Sequence, residues 1–207
     1  MSLRNVSLGA VCGALCVSTG AQALEIEQAD SKYLDKQYRL TLVTVVEASR
    51  ERVQAVLRDY RNYPKLDPRI LEARVMERTG PNEVVLYTKL RACFGVFCRT
   101  IKRVERVEEG DNDLRASVLP DQSDATQGET RTQLTALNGR TRITYSTQIA
   151  PGFWIPPFIG RALMLRTLRE ASVDLFRRVE QQAQGQVVRP VLSRAASQSA
   201  ASQSIDP

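Results

Sequence analysis

Histidine is absent from this chain, so Asp, Glu, Lys, Arg, Tyr and Cys must carry any chemistry it performs. Its absence removes the commonest general base, the Ser-His and Cys-His nucleophile systems, and the imidazole metal ligands. Proton transfer would have to run on a carboxylate, a lysine or a tyrosine. The four cysteines fall in two close pairs, Cys12 with Cys16 and Cys93 with Cys98. The second pair encloses the sequence CFGVFC, which sets Phe94, Val96 and Phe97 around Gly95 at what reads as a chain reversal. Solvation ordinarily selects polar residues at such a place. Two cysteines without histidine do not make an ordinary four-ligand zinc site. Neither a metal nor a cofactor is expected, and no residue is singled out as catalytic from spacing alone.

The meaning of the cysteines depends on the compartment. Arg4 gives the start a positive charge, residues 6–17 are short, apolar and small, and Ala21-Gln22-Ala23 fits a small-x-small cleavage site. Residues 1–23 therefore read as a secretory signal and Leu24 as the first mature residue. Cys12 and Cys16 leave with the signal. The apolar run falls short of the roughly 20 residues that a spanning helix requires. The protein is expected to be exported, to a bacterial periplasm or otherwise secreted, where a Cys93–Cys98 disulfide forms and persists. Its 43% hydrophobic and 25% charged residues are those of a globular domain with a real core. A net charge of +6 favours anionic surfaces such as phospholipid headgroups. Nucleic acid is not an expected partner, because the chain reads as exported and its basic residues are interspersed with acids.

The elements that position these residues follow from periodicity. Residues 37–46, QYRLTLVTVV, alternate as a strand, and Ser49 is placed to cap a helix carrying Val53, Val56, Leu57 and Tyr60 that should stop before Pro64. Strand signals follow at 70–78, 83–93, 98–107, 113–119, 128–137 and 140–149, separated by Gly80-Pro81, the 109–112 cluster and the 120–127 loop. Asn138-Gly139 is a type I′ hairpin signal, and pairing across it sets Leu134 opposite Ile143 and Thr132 opposite Tyr145. After the apolar loop PGFWIPPF, residues 151–158, a long helix runs to about Gln182 with Leu165, Leu168, Ser172, Leu175 and Val179 along one stripe. Residues 24–36 are left as an N-terminal extension to a domain spanning 37–184. Residues 185–207, rich in Ser, Ala and Gln, read as a disordered tail.

With its VEASRERVQAVLRDYRNYPKL segment (46–66), containing Asp59-Tyr60 and Asn62-Tyr63-Pro64, and its terminal LRTLREASVDLFRRVEQ segment (165–181), the chain resembles the START-like (SRPBCC, helix-grip) superfamily. The resemblance is to its polyketide cyclase/dehydrase and coenzyme Q-binding branch and covers roughly residues 37–182. It implies an α+β helix-grip fold, in which a curved antiparallel sheet of about six to seven strands wraps a long C-terminal helix and leaves a hydrophobic cavity. It also implies a hydrophobic small-molecule ligand: a lipid, isoprenoid, quinone or polyketide. The export signal and the cysteine pair depart from the quinone-binding members.

A type II′ turn at Gly95-Val96 would pair Cys93 with Cys98 and Phe94 with Phe97. Alternation then puts Leu86, Thr88, Leu90, Ala92 and Phe94 on one face with Phe97, Arg99, Ile101, Arg103 and Glu105. This is the better candidate for the ligand-facing side, with Phe94 and Phe97 at its rim, Arg99 just inside, and Arg103 and Glu105 deeper. Thr132, Leu134, Ile143 and Tyr145 complete the lining, and the helix-grip fold brings Phe153 and Trp154 to the same mouth. The residues also admit plainer readings, in which the aromatics only cover the end of the core and Arg103 and Glu105 only face solvent.

Three functions remain open on these grounds. The first is a non-catalytic, monomeric carrier or sensor of a lipid, isoprenoid or polyketide-like molecule in the cell envelope, with transient membrane-surface contact. The second is a cyclase, dehydratase or isomerase with Glu105 or Tyr145 as acid/base and Arg103 polarising a carbonyl. The third is an adaptor that docks a protein partner through its apolar loops.

Overall fold

The computed structural model describes residues 24–94, 97–152 and 160–185. The readings of the signal at 1–23, the turn at Gly95-Val96, Phe153 and Trp154, and the tail beyond Gly185 lie outside the described residues, as does the side chain of Phe94. Among the described residues eight strands form one antiparallel sheet: β1 (Glu25–Leu34), β2 (Gln37–Val46), β3 (Ile70–Gly80), β4 (Glu83–Phe94), β5 (Phe97–Glu109), β6 (Asp113–Val118), β7 (Ala125–Leu137) and β8 (Arg140–Pro151). Their order is β1-β2-β8-β7-β6-β5-β4-β3, so the sheet ends in β1 and β3. Among the described residues no helix is long and apolar enough to cross a membrane.

One strand more than expected comes from residues 24–36. That segment pairs with β2 from Glu25↔Val45 to Leu34↔Gln37, turning through Asp35 and Lys36 at φ 52° and 61°. Both turn residues adopt left-handed backbone without glycine. The segment gave little sequence signal because most of its residues are exposed on an edge strand, which blunts the apolar alternation. Strand β7 also begins earlier than residue 128, since Ala125 is buried and pairs with Pro151.

The first helix, α1 (Arg50–Arg58), buries Val53, Val56 and Leu57, and Ser49 holds the N-cap position without a side-chain cap bond. A 3-10 turn at Tyr60–Asn62 leads into a short second helix, α2 (Tyr63–Leu66). Pro64 thus opens a helix, where its missing N–H costs nothing, and the first helix ends earlier at Asp59. The long helix α3 (Gly160–Ala183) lies across the inner face and buries Met164, Ser172, Phe176, Val179 and Ala183 toward the sheet. Phe176 is 1% exposed, whereas Leu165, Leu168 and Leu175 are only half-buried, so the buried stripe is rotated from the expected one. The ring of Phe176 meets Tyr145 edge-on at 5.2 Å, and burying a side chain of this size contributes about 2–3 kcal/mol.

Register is fixed where the sequence indicated it. Leu134 pairs with Ile143 and Thr132 with Tyr145, across Asn138 and Gly139 at φ 46° and 86°. Both turn residues have positive φ, as a type I′ turn needs.

Candidate ligand site

Strands β4 and β5 pair in the expected register, from Glu83↔Glu108 to Cys93↔Cys98 and Phe94↔Phe97. The Cys93–Cys98 disulfide is formed, with Cα atoms 4.0 Å apart in a non-hydrogen-bonded pair. Leu86, Thr88, Leu90, Ala92, Phe97, Ile101, Arg103 and Glu105 share the face turned toward α3. Two apolar clusters occupy the ends of that face. The base holds Leu42, Val46, Val84, Leu86, Val107, Leu134, Ile143, Phe176 and Val179. The mouth holds Tyr38 and Met164, with Ala92, Phe97, Ile149, Leu163 and Leu168 packed around them.

Between the clusters β4, β5, β8 and α3 change character. Along β4 Thr88 separates Leu86 from Ala92, and along β5 Arg103 and Glu105 stand between Phe97 and Val107. Along β8 Tyr145 and Thr147 lie between Ile143 and Ile149, and on α3 Ser172 lies between Leu168 and Phe176. The result is a polar belt crossing an apolar interior. Arg103 Nε stands 3.0 Å from a Glu105 carboxylate oxygen, with the Glu105 side chain 6% exposed and that of Arg103 31% exposed. Thr88 donates its hydroxyl proton to the Arg103 carbonyl at 3.3 Å, and the Thr130 and Thr147 hydroxyls are 2.9 Å apart. Burial pushes the Tyr145 hydroxyl above the ordinary tyrosine range, opposed by the Arg103 charge and by contacts with the Thr147 and Ser172 hydroxyls. Tyr63 is raised in the same way, by burial first and by the Glu105 charge second, and its hydroxyl donates to the Leu57 carbonyl at 2.6 Å. Both phenols remain protonated donors at neutral pH.

The belt is not closed off by packing. Leu90, Ile101, Arg103, Thr130, Tyr145, Thr147 and Ile149 keep accessible surface although they face the interior. Tyr145 does so while its hydroxyl lies deep among protein atoms. The remaining expected lining residues lie deeper: Leu86, Thr88, Glu105, Thr132, Leu134 and Ile143 are buried. Arg99, expected just inside the mouth, is exposed, because the ribbon there runs past its neighbouring strands into solvent. Phe97 is half-buried against the mouth cluster, and Phe94 and Trp154 lie outside what is described.

Sequence reasoning missed three members of the belt. Tyr63 was visible only as part of a packing motif, Thr147 carried no signal, and Ser172 was detectable as a hydroxyl within an apolar helical stripe. The arrangement can enclose an apolar chain and offer a polar group on it a cationic donor, a carboxylate and a phenol. Among the described residues no cluster of three or more His, Cys, Asp or Glu could hold a metal ion. The cleft of about 390 Å3 between residues 58–61 and 75–78 is an open surface feature that contains none of these side chains.

The chain matches no protein-family model and no curated protein. Solved structures do match. The Zhui aromatase/cyclase of a Streptomyces species aligns at TM-score 0.60 and 14% identity, covering 72% of this chain and 94% of that one. A STAR-related lipid transfer protein of Xanthomonas axonopodis aligns at TM-score 0.61 and 15% identity, covering 79% and 99%. A START superfamily protein of Mycobacterium smegmatis aligns at TM-score 0.58 and 18% identity, covering 71% and 97%. The chain therefore has the START-like helix-grip fold, an α+β architecture it shares with that aromatase/cyclase and that lipid transfer protein.

Proposed function

We propose that this protein binds and carries a hydrophobic small molecule in the cell envelope, without catalysing a reaction on it. The observation that carries the reading is the accessible polar belt, centred on Arg103, Glu105 and Tyr145, between two apolar clusters on the inner face. Apolar walls with a few convergent polar groups are what small-molecule sites consist of. The apolar part of the ligand lies along Leu90, Ile101 and Ile149, and its polar group meets the belt. The lipid transfer protein and the aromatase/cyclase of the same fold support a ligand of this kind. A disulfide joining two exposed cysteines agrees with an exported protein, acting as a monomer after loss of residues 1–23.

A cyclase or dehydratase would draw on the same three residues, with Tyr145 as proton donor to a carbonyl held by Arg103. Two measurements decide between these readings. Native mass spectrometry of the protein recovered from its own envelope should show a bound lipid-sized mass, and Leu90→Trp, which fills the space in front of the belt, should abolish it. An unchanged ligand mass in Leu90→Trp removes the site, and a ligand converted during incubation removes the non-catalytic reading.

A further inference from the structure

The ribbon of β4 and β5 projects beyond the sheet. Leu90 is the last β4 residue paired with β3, and Glu105 the first β5 residue paired with β6. Among the described residues, 92–94 and 97–99 are therefore flanked by no other strand. A two-stranded ribbon is marginal in water, and the Cys93–Cys98 disulfide clamps this one.

Its charge is one-sided. Residues 84–104 contain Lys89, Arg91, Arg99, Lys102 and Arg103 and no acidic residue. Arg103 turns inward to Glu105, while Arg91, Arg99 and Lys102 are exposed and Lys89 is half-buried on the outer face. Lys89 and Lys102 are directly opposed in register. They lie four positions from the disulfide pair and so share its close, non-hydrogen-bonded geometry, where like charges destabilise a sheet. Two acids border the pair: Glu72, the β3 register partner of Lys89, whose carboxylate is also paired with Arg74, and Asp124, whose carboxylate accepts the Lys102 backbone N–H at 2.8 Å. The start of α3 packs on the inner side of the same ribbon through Met164, Leu163 and Leu168. It adds Arg161, stacked 4.6 Å over the Tyr33 ring, and exposed Arg169, with Arg166 paired to Glu170. The far ends of β4 and β5 carry Glu83, Glu108 and Glu109, and β6 begins beside them at Asp113. At that end arginines match the acids, Arg106 pairing with Glu83, Arg58 with Glu109, and Arg115 and Arg131 with Asp113.

We propose that the basic β4–β5 ribbon, with the first turns of α3, is a docking surface for an anionic phospholipid membrane. A planar anionic surface meets the exposed cations of the ribbon and of α3 at once, and holds the mouth of the inner site against the bilayer. Each basic side chain at such a surface is worth about fivefold in affinity.

The test is co-sedimentation of the full chain with vesicles of phosphatidylcholine alone and of equal parts phosphatidylcholine and phosphatidylglycerol. Wild type is expected to bind only the anionic vesicles and to be released by salt. The triple variant Lys89→Gln, Arg91→Gln, Lys102→Gln should bind on the order of a hundredfold more weakly. A control of equal charge change away from the ribbon, at exposed positions of β6, β7 and β8, Arg115→Gln, Arg131→Gln, Arg140→Gln, should lose much less. Equal loss in both variants, or wild-type binding by the ribbon variant, overturns the proposal. So does binding to a soluble polyanion that survives addition of anionic vesicles, which would make the ribbon a site for another partner. Circular dichroism confirms that each variant is folded, and native mass spectrometry of the same samples reads ligand retention. Lost docking with retained ligand concerns the ribbon alone, whereas absent ligand with intact docking counts against the carrier reading alone.

Discussion

The base and the mouth of the inner face are made by the same strands and the same helix, yet they are packed differently. At the base Val46, Val84, Ile143 and Val179 are fully buried and Phe176 is 1% exposed. Among the described residues at the mouth only Tyr38 and Met164 are buried, at 7% and 8%, and their neighbours Tyr33, Phe97, Ile149 and Leu168 are half-buried. The base is a conventional core. The mouth has comparable apolar residues without the same closure, and the belt of Arg103, Glu105 and Tyr145 separates the two. Stability should therefore reside at the base and binding at the belt and mouth.

Substitutions can separate the two regions. Phe176→Ala should be the most damaging, destabilising by about 3–5 kcal/mol in denaturant unfolding, because the cavity it leaves is enclosed. Arg103→Met should cost less, about 1–3 kcal/mol, since it strands the buried Glu105 carboxylate while losing only a partly exposed cation. It should also weaken ligand retention, which Phe176→Ala should spare in whatever fraction stays folded. Cys93→Ser with Cys98→Ser should cost at most about 2 kcal/mol, because the ring it opens is small. Amide exchange should then quicken in the ribbon and leave the base unchanged; uniform acceleration would erase the distinction between the regions.

The smallest effect concerns Glu180, on the base side of α3. Burial raises its pKa, opposed by the Glu47 backbone N–H that its carboxylate accepts at 2.7 Å. A carboxyl raised in the folded state binds its proton more tightly there, so stability falls as pH rises from the unfolded carboxylate pKa through the folded one. Glu180→Gln keeps the acceptor and removes the charge. It should stabilise the fold slightly at neutral pH, by less than about 1 kcal/mol, and flatten that slope between weakly acidic and neutral pH.

Much of this organisation was legible in the sequence wherever a periodic pattern met a turn with a fixed geometry. Asn138-Gly139 set the β7–β8 register, and the cysteine spacing set that of β4 and β5. These two registers sufficed to place Arg103, Glu105 and Tyr145 on one face. Strand β1 was illegible because an exposed edge strand needs no alternation, and Ser49 occupied a cap position without making the bond. The helix α3 was predicted with its buried stripe rotated, since Leu165, Leu175 and Phe176 are equally apolar and only packing against Tyr145 selects among them. Tyr63 and Ser172 join the belt through contacts between elements far apart in sequence, which no local pattern encodes.

The central claim, that an apolar molecule lies along the inner face with its polar group at the belt, is tested most directly by photolabelling. A fatty alcohol carrying a diazirine in its chain is bound to the full protein, irradiated, and mapped by peptide mass spectrometry. Label should concentrate on the peptides carrying Leu90, Ile101 and Tyr145, and excess unlabelled ligand should compete it away. Label concentrated instead on exposed Leu71 and Met76 of β3, or spread without competition, would contradict the account.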